Sequence, residues 1–104
     1  MHAVVRNYSG HGEKELFKLL EQRNTEVEKV ISAVPGFQAY SVIRTNDDGV
    51  TITVCKDNAG TDQSVQVARD WIKKYAADLG TAAPSVSEGT VVIHSAKAKE
   101  KVAG

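Results

Sequence analysis

The stretch YSVIRTNDDGVTITVC, residues 40–55, constrains this chain more than any other. Two runs of period-two alternation flank Asn-Asp-Asp-Gly, a tight-turn composition, so the segment predicts a β-hairpin. Alternation sorts its side chains into two sets. Ala39, Ser41, Ile43, Val50, Ile52 and Val54 form one, and Tyr40, Val42, Thr51, Thr53 and Cys55 form the other. The first, more aliphatic set is expected to face helices. The second is too apolar to rest comfortably in water. A sheet with two such faces needs a cover on both.

The flanking sequence supplies the remaining elements. Residues 3–8, AVVRNY, read as a strand that stops at the Gly-rich SGHG. Residues 13–34 repeat Leu16, Leu20, Val27, Ile31 and Val34 at the spacing of one helix face, with Glu13 and Glu15 suiting the first turn. Pro35-Gly36 stops that helix. Strands follow over 37–45 and 50–56. Thr61 is a fitting N-cap for a second helix reaching about Leu79 and burying Val65, Ala68, Ile72, Tyr75, Ala76 and Leu79. TVVIHS, residues 90–95, predicts the last strand. One domain is expected over residues 1–95, with 96–104 as a flexible tail.

The order β-α-β-β-α-β, with right-handed crossovers, predicts a ferredoxin-like α+β fold: an antiparallel sheet with two helices on one face. AVV and VVI place apolar groups on both faces, and the helices cover one. A second copy is the simplest cover, packed about a two-fold axis, giving a dimeric α/β barrel and a homodimer. The alternative is a monomer that tolerates scattered apolar surface.

Charge excludes some partners. Lys plus Arg and Asp plus Glu are 13 each, and no basic stripe carries interleaved aromatics, so nucleic acid is not expected. Neither helix has a strongly basic face and no apolar run approaches a span, so no membrane is expected either. Cys55 is alone and forms no internal disulfide. With no secretory leader pattern at the start, a soluble cytoplasmic setting is the default expectation.

The element order, the VPGFQAYSVIR junction between first helix and second strand, and the Trp-bearing second helix resemble the dimeric α/β-barrel proteins. Among these the chain is most similar to the antibiotic-biosynthesis-monooxygenase-like (ABM) domains, over about residues 3–95. The resemblance implies a cofactor-independent monooxygenase acting on a small aromatic or quinone-like compound. In haem-degrading relatives of that family a strand-one Asn and a second-helix Trp act with a further His. Asn7 and Trp71 match the first two, whereas IKKYAADLGTAAPS offers no His after Trp71. Iron would lack an axial ligand, so no cofactor is expected.

Arg23 is the least expected residue structurally, because it falls near the middle of the first helix's apolar stripe. It either escapes to a rim or a carboxylate, or marks a polar pocket where it holds a substrate oxygen. Asn7 would orient that substrate, and Trp71 with Tyr75 would form an apolar wall; the bland reading of Trp71 is a lid on the core. His11, ahead of a helix N-terminus, is a candidate substrate contact or an ordinary turn residue. His2, His11 and His94 lack metal-ligand spacing, so no metal is expected. The rival to an enzyme is a non-catalytic module that binds a small ligand or serves in assembly or stress tolerance.

Overall fold

The computed structural model describes residues 1–10, 12–46 and 48–96. The expected tail, from residue 97 on, lies outside the described residues, as does His11. The elements are β1 (His2–Tyr8), α1 (Glu13–Gln22), α2 (Asn24–Ser32), β2 (Phe37–Arg44), β3 (Gly49–Cys55), α3 (Asn58–Tyr75), a 3-10 turn (Ala77–Leu79) and β4 (Ser85–Thr90). The sheet is antiparallel in the order β2-β3-β1-β4, the ferredoxin-like topology. No helix among the described residues is long and apolar enough to cross a membrane.

The expected first helix divides in two. Its stripe is real, since Leu16, Leu20, Val27, Ile31 and Val34 are all buried, but the helix breaks at Arg23. Arg23 leaves helical geometry at φ −109° and ψ 29°, and Asn24 Nδ2 donates to Glu21 O at 2.8 Å. A side-chain amide that captures a backbone carbonyl offers the chain an alternative to the helix ladder. The break carries Arg23 out of the stripe that a straight helix would have placed it in.

The second helix starts three residues before Thr61. Asp57 is its N-cap, accepting from Gly60 N at 3.3 Å. Thr61 is instead buried inside the first turns, where its hydroxyl meets His2 Nδ1 at 2.8 Å. Ala76 and Trp71 are buried, while Tyr75, expected inside, is 37% exposed.

The two side-chain sets of the hairpin are as expected, but their faces are exchanged. Arg6, Thr51, Thr53 and Cys55 are buried toward the helices, and Val5, Val50, Ile52 and Val54 lie half-buried on the open side. Closeness decides this. Phe17 rests directly on Gly49, leaving no room for a Cβ, and a Cβ on Gly60 would stand 2.7 Å from Pro35 O and 2.8 Å from Cys55 Cβ. Helices that approach so tightly select the small side of β3, whatever its polarity.

The last strand also moves. β4 is Ser85–Thr90, not residues 90–95, because its position is set by its ladder with β1, from Asn7↔Ser85 to His2↔Thr90. Val91 N still donates to Met1 O at 2.9 Å. Beyond that rung Val92 and Ile93 are 90% and 85% exposed.

Candidate functional site

The interior between helices and sheet is organised around a residue that sequence reasoning missed. Arg6 follows Val4 and precedes Tyr8 on the inward side of β1, and it is 1% exposed. Its Nε donates to Thr51 Oγ1 at 2.8 Å and Nη1 donates to Ser64 O at 3.3 Å. Neither acceptor is charged, and no carboxylate pairs with Arg6 among the described residues. A buried guanidinium is normally matched by an anion. The signal for it was parity: alternation along β1 puts Arg6 on the same face as Val4 and Tyr8, between two buried side chains.

Two spaces adjoin this guanidinium. A cleft of about 370 Å3 lies between α3 and β4, reaching from Arg6 and Tyr8 past Val65 and Ile72 to Pro84 and Val86. A void of about 20 Å3, room for about one water, lies on the other side of Arg6, bounded by Tyr40, Thr51 and Trp71. Arg6, Tyr8 and Ile72 line both. Burial pushes the hydroxyl pKa of Tyr8 and of Tyr40 up, with the Arg6 charge acting against the shift. Both hydroxyls therefore remain donors at neutral pH.

The expected site residues that the structure describes divide between two places. Arg23, Trp71 and Tyr75 do meet, but on the outer side of the helix layer. The Arg23 guanidinium stacks 4.5 Å from the Tyr75 ring centre, and its Nε lies 3.5 Å from Glu26 Oε2. Trp71 Nε1 donates to Glu26 Oε1 at 3.2 Å, and its ring centre is 5.2 Å from that of Tyr75. Arg23 has thus found its carboxylate. Trp71 is the shared wall, closing the inner void on one side and bordering an outer groove between α2 and α3 on the other. Asn7 does not join them: it is exposed and alternates away from Arg6 and Tyr8, onto the open face of the sheet.

A larger groove of about 1020 Å3 follows edge strand β2. Two of its charged members pair with each other, Arg44 Nη1 lying 2.9 Å from Glu21 Oε2, and Glu28 is the third. Cys55 is buried, and desolvation raises its thiol pKa, consistent with a packing role.

The protein shares its ferredoxin-like fold with solved structures to which its sequence has low identity. Among solved structures it is similar to the monooxygenase from the gene ActVA-Orf6 of Streptomyces coelicolor, a complex with nanaomycin D, at 16% identity and a TM-score of 0.66 over 93% of this chain and 92% of that one. It is also similar to the haem-degrader MhuD of Mycobacterium tuberculosis, with two haems bound in its active site, at 19% identity and a TM-score of 0.62 over 90% and 99%. A protein of unknown function from Nitrosomonas europaea matches at 16% identity and a TM-score of 0.68 over 93% of each chain. No family model and no curated protein sequence matches the chain.

Proposed function

We propose that this protein is a cytoplasmic homodimeric barrel that binds a small oxygen-bearing aromatic between α3 and the sheet and oxygenates it without a cofactor. The observation that carries the reading is Arg6, buried, unpaired with any described carboxylate, and lining the cleft. A guanidinium so placed stabilises negative charge on a ligand oxygen far better than it would in water. Neither space is lined by a carboxylate or histidine among the described residues. The substrate must therefore be acidic itself: a quinol or an anthrone-like carbon acid whose anion Arg6 stabilises. For an anthrone-like CH2 carbon, that anion forms a carbon–oxygen bond with O2. The resulting hydroperoxide then loses water to leave a carbonyl.

In this reading Arg6 takes the oxygen-holding role expected of Arg23. Trp71 closes the small void on the other side of Arg6, and Arg23 with Tyr75 packs against the indole from outside. Asn7 faces the second copy. Support for that copy comes from the aliphatic open face of β1–β3 and from Val92 and Ile93, which continue past β4 without a strand partner among the described residues.

A non-catalytic binding module is the second reading, favoured by the same lack of a lining base. Oxygen uptake with anthrone and naphthohydroquinone, alongside calorimetric binding, separates the two. Uptake above buffer that falls about 100-fold in Arg6→Met supports the oxygenase. Binding without uptake supports the module, and the absence of both removes the cleft as a ligand site.

A further inference from the structure

The charges around the cleft are all of one sign. Its lining includes Arg6, Arg69 and Lys73, and no aspartate or glutamate among the described residues. The chain as a whole has zero formal charge, so this concentration is local. Arg69 and Lys73 stand one turn apart on α3, on the same helix face as Val65, Ile72 and Ala76, which supply the apolar side of the cleft. Both are exposed, at the mouth, while Arg6 is fully enclosed at the floor.

We propose that the cleft selects an anionic ligand: a carboxylate carried on an apolar, ring-sized body. The body lies against Val65, Ile72 and Ala76, and the carboxylate is drawn by Arg69 and Lys73 at the mouth. An acidic oxygen at the far end reaches Arg6. The inference rests on the cleft being the ligand site, and it adds the permanent charge of what enters. Rim cations act over the last ångströms before contact and are screened by salt, whereas Arg6 works in a dry environment where its field is strong.

The test compares two probes of one shape, 2-naphthoate and 2-naphthamide, by titration calorimetry against the full chain at low and at 0.5 M salt. The expected result is that naphthoate binds about tenfold more tightly at low salt, two exposed cations contributing modestly each. Most of that preference should vanish at high salt. In the double variant Arg69→Gln/Lys73→Gln the preference falls to about twofold while naphthamide affinity is unchanged, which also shows that the variant is folded. Equal binding of both probes by the wild type overturns anion selection and leaves the cleft as a neutral ligand site. A preference that survives the double variant also overturns it, because the anion then sits elsewhere. Failure of both probes to bind overturns this proposal and the cleft reading together.

Discussion

Arg6 and Thr51 are partners across the β1–β3 ladder, and the Nε of one donates to the hydroxyl of the other over 2.8 Å. Two residues along the same strand face, Thr53 is equally buried, yet its hydroxyl has no hydrogen-bond partner among the described residues. One substitution made at both positions should therefore give different results. Thr51→Val leaves a buried N–H of a charged group without its acceptor and should destabilise by about 1–3 kcal/mol. Thr53→Val removes an unpaired polar atom at constant shape and should be neutral or stabilising by up to ~1 kcal/mol. Urea denaturation measures both; equal losses would show that the Arg6 contact is not a specific one.

Glu13 provides a pH signature. Its side chain is buried, neither oxygen has a hydrogen-bond partner among the described residues, and burial first, then the Asp48 charge, raises its pKa above 4.5. A raised folded-state pKa means the native state holds its proton longer than the unfolded chain does. The associated stability is present below the unfolded value and is lost as pH rises through the folded one. Glu13→Gln should lack that decline and melt higher than wild type at pH 7, with the gap closing as pH falls toward the unfolded carboxylate range. Melting curves across that range that run parallel would contradict the assignment.

Close contact at Gly60 outweighs helix propensity. Alanine is favoured over glycine by about 1 kcal/mol in a helix interior, but here its methyl would press on the Pro35 carbonyl and the Cys55 Cβ. Gly60→Ala should destabilise by about 1–3 kcal/mol. Thermal unfolding that shows a gain would mean α3 can lift from β3.

The open face makes a separate prediction. Wild type should sediment at twice the 11.2 kDa chain mass at micromolar concentration. Ile52→Asp, on the open side of β3, should sediment as one chain with unchanged circular dichroism. A wild type that stays at the single-chain mass would remove the second copy from the proposal.

The sequence carried the periodicities of this fold, but not what decides between equivalent arrangements. The stripe Leu16–Leu20–Val27–Ile31–Val34 and the pairing of the two hairpin sets followed from spacing alone. Which set faces the helices depended on how near Phe17 and Gly60 come to β3, a distance that hydrophobicity does not encode. β4 sat five residues early because its ladder with β1, rather than the more apolar TVVIH run, fixes its place. For the candidate site, helix spacing put Trp71 and Tyr75 side by side, whereas Arg23 stood out only as a charge in an apolar stripe, with nothing to say that it would meet them. Their carboxylate, Glu26, was not identifiable, because the break at Arg23 turned that side of α2 toward Trp71. Arg6 was overlooked next to the apolar Ala3-Val4-Val5 run, where only its parity with Val4 and Tyr8 marked it.

The contact of Gly60 with β3 reaches further than stability. It fixes α3 at its first turn, while the cleft opens beneath Arg69, Lys73 and Ala76, the last about 24 Å along the helix. The helix is thus pinned at its first turn, with the cleft running beneath it from Val65 to Ala76. A methyl added at that pin would have to push α3 off β3, so the width of the cleft would depend on a residue that does not line it.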